Sequence, residues 1–171
     1  MDQRKLASLL LRYARLDRKR SLEGLDAAEG ASLAELHDLL SSALTPHVPR
    51  GAERRSSIRV PAELACRWAP ERQPEEARIT TLSRTGAFVR TPAPAPVGAE
   101  IALSISLPVG GLLDVPGSVA NQLLAPDPER RGMGVRFGRL APSAMRQLHA
   151  LYEHSIVRRY GSAAPGAATS G

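Results

Sequence analysis

The feature that constrains this chain most is a β-hairpin pattern between residues 79 and 90. Two short apolar and β-branched runs, 79–82 and 87–89, flank the sequence Ser-Arg-Thr-Gly. Such runs favour strands, and glycine adopts the positive φ angle that many tight turns require. We therefore predict a hairpin whose turn uses Gly86 at positive φ. The turn also offers the Ser83 hydroxyl, the Arg84 guanidinium and several backbone N–H groups, which are donors that can converge on an anion.

Short strand patterns recur around this hairpin, with turn residues between them. Residues 100–107 alternate apolar and polar side chains, and we expect the long strand that follows them to bend near Pro116-Gly117. The predicted strands cover residues 58–68, 77–82, 87–91, 100–107, 112–124 and 132–137. Six strands of this length predict a mainly β fold, a small antiparallel β-barrel.

Helical patterns lie on both sides of the predicted barrel. Residues 3–20 have apolar side chains at helical spacing, and Leu16 or Asp17 completes that face. The sequence Ser-Leu-Ala-Glu at residues 32–35 is typical of a capping box, so we predict a second helix that begins there and ends before Pro46. The predicted organisation is an N-terminal helical hairpin at 1–45, a linker at 46–54, a barrel with a C-terminal closing helix at 55–158, and a disordered tail at 159–171.

Composition excludes several classes of protein. No run approaches the roughly 20 apolar residues of a membrane span, and the N-terminus lacks the pattern of a secretion signal. The single cysteine, Cys66, excludes an internal disulfide, and it has no partners at metal-ligand spacing. We expect Cys66 to be a small buried side chain in a strand. These observations favour a cytoplasmic protein without a metal or other cofactor.

Two short motifs stand in a fixed order around the first predicted strands. Arg55 and Arg59 form an Arg-x-x-x-Arg pair just before a strand. The second motif, at residues 81–86, resembles the pattern [Asp/Asn]-x-Ser-x-x-Gly. Ser83 and Gly86 match this pattern, and Thr81 stands where it has Asp or Asn. In this order and separation the motifs resemble those of the PilZ domain, the common bacterial receptor module for cyclic di-GMP. The resemblance extends from about residue 53 to 157, including the last strand and the closing helix.

The resemblance implies how a ligand would be bound. The two motif arginines would contact guanine edges and phosphates and stack on the bases. Ser83 would bond a phosphate or base, and Gly86 would shape the turn. Arg54 would help to hold a second ligand molecule, so one or two molecules of cyclic di-GMP are expected. The candidate ligand-binding residues are Arg54, Arg55, Arg59, Thr81, Ser83, Arg84 and Gly86.

Thr81 departs from the family motif, which has Asp or Asn at this position. A carboxylate accepts from guanine N1–H and N2–H together, whereas a threonine hydroxyl cannot span both. Loss of one charge-assisted pair costs about 1.5–3 kcal/mol, or roughly ten- to a hundredfold in affinity. The alternative interpretation is therefore a PilZ-like adaptor that no longer binds cyclic di-GMP and acts by protein–protein interaction.

The favoured function is a receptor or adaptor and not an enzyme, because no Ser/His/Asp, paired-carboxylate or metal constellation stands on matching elements. Ligand binding would order the segment 54–59, reposition the N-terminal helices and so relay the second messenger to a protein partner. That partner is unidentified, and a second copy of the chain, held through the N-terminal helices, is one candidate. The net charge of +6 also admits nucleic acid, bound by the basic residues 12–20, as a less favoured partner.

Overall fold

The predicted barrel and its flanking helices are confirmed by the computed structural model, which describes residues 2–44, 56–69 and 74–161. Six antiparallel strands close in the order β1-β2-β3-β6-β5-β4. The strands are β1 (Val60–Ala69), β2 (Glu75–Leu82), β3 (Gly86–Arg90), β4 (Glu100–Ser106), β5 (Leu112–Leu123) and β6 (Gly132–Phe137). The helices are α1 (Gln3–Leu22), α2 (Ala27–Leu44) and α3 (Pro142–Tyr160). The predicted linker, which includes Arg54, lies outside the described residues, and so does Arg55.

Alternate residues of β1 and β4 fill the barrel interior. In β1 the buried residues are Val60, Ala62, Leu64, Cys66 and Trp68, and the residues between them are exposed. Burial raises the pKa of the Cys66 thiol to about 11, so this cysteine is an unreactive core side chain, as the sequence predicted.

The three helices stack outward from one side of the barrel. α3 packs on β1 and β5, α1 packs on α3, and α2 packs on α1. The inward face of α1 consists of Leu10, Tyr13, Ala14 and Asp17. Asp17 is therefore the residue that completes the predicted helical face, although it carries a charge. No helix in the described ranges is long and apolar enough to cross a membrane.

A β-bulge at Thr80 determines which side chains of β2 face outward. Ile79 pairs with Val89 and Thr81 pairs with Phe88, so Thr80 has no counterpart on β3. Regular alternation from Ile79 would turn Leu82 outward, but the extra residue returns Leu82 to the interior, where it is fully buried. Thr80 and Thr81 are both left half-buried at the outer surface.

The start of α2 corrects the predicted capping box, which was wrong. The helix begins at Ala27, and the reciprocal cap is formed by Asp26 and Glu29. The Glu29 N–H donates to Asp26 Oδ1 at 2.8 Å, and the Asp26 N–H donates to Glu29 Oε2 at 3.1 Å. Aspartate caps a helix as well as serine does, so the earlier site was available and the helix gained more than a turn.

The irregularity in β5 also differs from the prediction. Pro116 and Gly117 pair regularly with β4, and the register shift lies between Val119 and Asn121 on the side that faces β6. A Cβ on Gly134 of β6 would lie within 3 Å of the Asn121 side chain. The bulge thus occurs where a side chain crosses the neighbouring strand.

Gly86 is required for a different reason from the one predicted. Its φ angle is not positive; the glycines with positive φ in the described parts of the chain are Gly24, Gly98, Gly110 and Gly111. Instead, a Cβ at position 86 would lie 2.4 Å from the carbonyl oxygen of Val135 on β6. The motif glycine therefore permits the close approach of β3 and β6.

Replacing Gly86 by alanine should destabilise the barrel by about 1–3 kcal/mol, because the added methyl group meets backbone that cannot move aside. The measurement is the free energy of unfolding from urea denaturation. Gly30→Ala is the matched control, since position 30 lies in α2 with open space around it and should gain up to about 1 kcal/mol from helix propensity. Equal stability of Gly86→Ala and the wild type would contradict this account of the motif glycine.

Candidate ligand-binding site

The turn between β2 and β3 is closed by its own hydrogen bonds. The backbone N–H of Ser83 donates to the Gly86 carbonyl at 2.9 Å, and the Ser83 hydroxyl donates to the same oxygen at 3.1 Å. Ser83 is buried. In this conformation the motif serine holds the shape of the turn, and its hydroxyl is not presented to solvent.

The guanidinium of Arg84, at the tip of the turn, is bound by a carboxylate from α1. Its Nε lies 3.2 Å from Asp17 Oδ1 and 3.1 Å from Oδ2. Arg20, one helical turn after Asp17, contacts the same carboxylate. Asp17 is buried, and two guanidinium groups compensate its charge. An isolated buried carboxylate would lack this compensation. The sequence left Leu16 or Asp17 as the residue that completes the inward face of α1, and it gave no sign of a partner for Asp17.

The segment before Arg59 is bonded to the turn and to two helices. Ser57 Oγ lies 2.7 Å from Thr85 Oγ1, which joins this segment to the β2–β3 turn. The Ile58 N–H donates to the Tyr13 hydroxyl at 3.3 Å, and the Tyr152 hydroxyl donates to the Ile58 carbonyl at 3.0 Å. Together with the ion pair between Arg84 and Asp17, these contacts are called here the motif network.

Burial keeps both tyrosines of the motif network protonated. It raises the pKa of Tyr13 to about 12, an effect to which the Asp17 carboxylate adds. Burial also raises the pKa of Tyr152 far above its ordinary value of 10.0. The Tyr152 hydroxyl therefore remains a donor to the Ile58 carbonyl at any physiological pH.

An open groove of about 450 Å³ lies on the outer face of the barrel beside the motif segments. Strands β1, β2 and β3 form its floor, and the C-terminal half of α3 forms one wall. The lining residues are Pro61, Ala62, Glu63, Leu64, Arg78, Thr80, Arg90, His154, Ser155, Arg158 and Arg159. Four of them are arginines, and one, Glu63, is acidic, with its Oε2 3.8 Å from Arg158. The groove is thus strongly basic and of a size that suits a nucleotide-like anion.

Two of the groove arginines are forced together by strand pairing. Arg78 on β2 lies directly opposite Arg90 on β3. Like charges directly opposite each other destabilise a sheet, so an anion bound between these two side chains would relieve their repulsion. Neither arginine was predicted as a site residue, because their proximity depends on the bulge at Thr80.

The motif positions that the structure describes adjoin this groove. Thr81 pairs with Pro61, a residue of the groove floor, and follows Thr80, which also lines the groove. Arg59 is exposed and precedes Pro61 by two residues, so it flanks the same surface. Ser83 and Arg84, in contrast, belong to the motif network on the side of α1. The structure therefore divides the predicted site residues between a basic groove and a helix-covered turn.

A known protein family matches the barrel and most of α3. A sequence model of the PilZ domain matches residues 53–154. This chain belongs to the PilZ domain family. The family prediction is confirmed, and the closed barrel is accordingly a PilZ barrel. Among curated proteins, none matches the chain.

Solved structures of bacterial PilZ proteins share the fold. The inhibitor of motility MotI (DgrA) of Bacillus subtilis has a TM-score of 0.53 and 21% identity over 68% of this chain and 58% of its own. The K. pneumonia MrkH–c-di-GMP complex has a TM-score of 0.54 and 15% identity over 63% and 55%. YcgR of Escherichia coli in complex with c-di-GMP has a TM-score of 0.50 and 18% identity over 63% and 47%. The match thus spans less than two thirds of each relative.

Within the part of the chain that the structure describes, no group of three or more His, Cys, Asp or Glu residues is arranged to hold a metal ion. Arginines predominate among the ionisable groups of the groove, and arginine binds anions and does not ligate metals. The groove is therefore suited to binding an anion.

Tyr13→Phe should reduce the free energy of unfolding by about 1–3 kcal/mol, because it leaves the buried Ile58 N–H without its acceptor. Urea denaturation measures the change. The matched control is Tyr160→Phe, which removes the same oxygen from a half-buried tyrosine with no hydrogen bond to the described residues. Similar stabilities of the two variants would argue against a role for Tyr13 in holding the motif segment.

His149, on α3, should make stability depend on pH. It is buried, its Nε2 has no hydrogen-bond partner among the described residues, and burial lowers its pKa below the ordinary 6.5. The unfolded chain then binds a proton more readily than the folded chain, so stability falls as the pH drops below 6.5. In His149→Leu, the loss of stability between about pH 7.5 and about pH 5.5 should be smaller than in the wild type.

The control for this pH dependence is His154→Leu, at an exposed position of the same helix. Chemical denaturation at the two pH values gives the comparison. A wild-type pH dependence in His149→Leu would show that other groups cause the effect.

Proposed function

We propose that this protein is a receptor for cyclic di-GMP that relays the level of the second messenger to a protein partner. The observation that carries the proposal is the convergence of Arg78, Arg90, Arg158 and Arg159 on one groove beside Arg59 in a PilZ barrel. The ligand would act in the cytoplasm as a regulator, one or two molecules per chain, and the barrel would bind it without catalysing a reaction.

The chemistry of the ligand fits the groove. Cyclic di-GMP carries two phosphates and two guanines, and arginine binds both kinds of group in a bidentate manner. The pair of arginines across β2 and β3 is suited to a phosphate, because one anion would compensate both charges. Arg59 at the flank, with Arg54 and Arg55 before it, is suited to the guanine edges and to stacking on the bases.

Relatives of the same fold support this ligand. MrkH and YcgR have been solved as complexes with c-di-GMP. Each has less than 25% identity with this chain, so the likeness is one of fold, and the arginines of this chain support the chemistry of the site.

The relay would use the motif network. Residues 54–59 become ordered around the ligand in this proposal, and Ser57 and Ile58 connect that segment to the β2–β3 turn and to two helices. A shift of Ile58 would change its hydrogen bonds to Tyr13 on α1 and to Tyr152 on α3. The N-terminal helical hairpin, which the barrel contacts through these bonds, would then change the surface it presents to a partner.

Calorimetric titration of cyclic di-GMP into the purified full chain tests the proposal. The wild type should bind with a measurable heat, and Arg59→Ala or Arg78→Ala should each weaken binding about ten- to a hundredfold, the effect of losing one charge-assisted contact of about 1.5–3 kcal/mol. Arg67→Ala is the charge-matched control, because Arg67 is exposed on β1 outside the groove. Equal weakening by Arg67→Ala would show that net charge, and not the groove, holds the ligand.

Specific observations favour a second candidate function, an adaptor that binds no nucleotide. Thr81 lacks the carboxylate of the family motif, the Ser83 hydroxyl is bonded inside its turn, and Arg84 is occupied by Asp17. The same titration separates the two functions. Absence of binding in the wild type, with binding gained in Thr81→Asp, would identify a barrel that has lost its ligand and acts through protein contacts.

A further inference from the structure

Helix α1 places a carboxylate against the arginine at the tip of the motif turn. Arg84 contacts both oxygens of Asp17 through Nε, at 3.2 and 3.1 Å. A carboxylate and a phosphate make the same kind of charge-assisted hydrogen bond to a guanidinium group. While Asp17 is in place, the Nε–H and the charge of Arg84 are engaged by this carboxylate.

The same helix holds the other motif segment one turn earlier. Tyr13 and Asp17 are four residues apart and therefore lie on one face of α1. From α1, Tyr13 is hydrogen-bonded to Ile58, and the neighbouring Ser57 is hydrogen-bonded to Thr85 of the turn. The residue before Thr85 is Arg84, which contacts Asp17 on α1. These contacts form a closed ring through α1, the arginine segment and the turn. A ligand that moves either motif segment must break bonds to α1.

The negative charge of Asp17 favours the position of α1 beside the motif turn. The helix contains seven basic residues, and Asp17 is its single acidic one. Without this carboxylate, a strongly cationic helix would rest against the arginine of the motif turn. Loss of Asp17 from Arg84 would therefore leave repulsion between the helix and the turn, in addition to a half-buried guanidinium without its partner.

We infer that α1 is an internal competitor of the ligand: Asp17 occupies Arg84 in the free protein, and a phosphate of the bound ligand takes Arg84 and releases the helix. The inference rests on the proposed function. Linkage requires that the effect be reciprocal, so a partner that captures released α1 would tighten ligand binding by the same factor. The surface freed by release would include the face of Leu10, Tyr13 and Ala14 that packs inward.

The first test is the affinity of the full-length Asp17→Asn variant for cyclic di-GMP, measured by calorimetry. Asparagine keeps the shape of the side chain but cannot compete as an anion, so affinity should rise by a factor typical of such coupling, about 5- to 150-fold. Asp38→Asn is the control; it removes the same charge from an exposed position on α2 and should leave affinity unchanged. Equal or weaker binding by Asp17→Asn would overturn the inference, as would an equal gain in Asp38→Asn.

The second test needs no variant and covers the case in which Asp17→Asn does not fold. Amide hydrogen exchange of the wild type is followed with and without cyclic di-GMP, and the amides of α1 should exchange faster when the ligand is bound. Stronger protection of α1 would mean that the ligand fastens the helix, which is the opposite of competition.

The two proposals fail in different ways. Binding by the wild type with no gain in Asp17→Asn would reject the competition and leave the receptor function intact. Absence of binding in the wild type, in Asp17→Asn and in Thr81→Asp would reject the receptor function and the competition with it.

Discussion

The arrangement of this protein depends on the backbone of one residue, Ile58. Its N–H is held by Tyr13 from the helix before the barrel, and its carbonyl by Tyr152 from the helix after it. Both bonds are buried, where an unpaired backbone group is expensive. The peptide groups around Ile58 therefore fix the entry of the chain into β1, the seat of α1 on the barrel, and the approach of Arg59 to the groove. The conformation of the motif segment and the positions of both flanking helices are thus linked through the same few atoms.

The barrel and its strands could be predicted from the sequence because their signal is local. Alternating burial along β1 and β4, and the glycine and proline turns between strands, are properties of short segments. The prediction was wrong where two local signals competed, or where a strand far along the chain determined which residue was required. Asp26 with Glu29 formed the cap of α2 ahead of the Ser32 pattern, and Gly86 was needed because of Val135, about 50 residues further along the chain.

The candidate site was predictable only in part for the same reason. Arg59, Thr81, Ser83 and Gly86 were found through their motif spacing, which is local. The groove arginines come from β2, β3 and the end of α3, and no pattern within one segment brings Arg158 next to the barrel floor. The partner of Arg84 was hidden in the same way, because Asp17 precedes it by 67 residues. Periodicity left Leu16 or Asp17 to face inward, and only the packing of α1 showed that it is Asp17 and why a charge is tolerated there.

The bulge at Thr80 has a consequence for how this surface can change. From the pairing of Leu82 with Ala87, an unbulged ladder would bring Arg78 opposite Thr91, and the extra residue moves it opposite Arg90. The same residue returns Leu82 to the core. A ladder without the bulge, kept in register at Leu82, would therefore separate the paired cations of the groove and, at the same time, turn the fully buried Ile79 outward. The pairing of these cations and the burial of both Ile79 and Leu82 thus depend on one extra residue in β2.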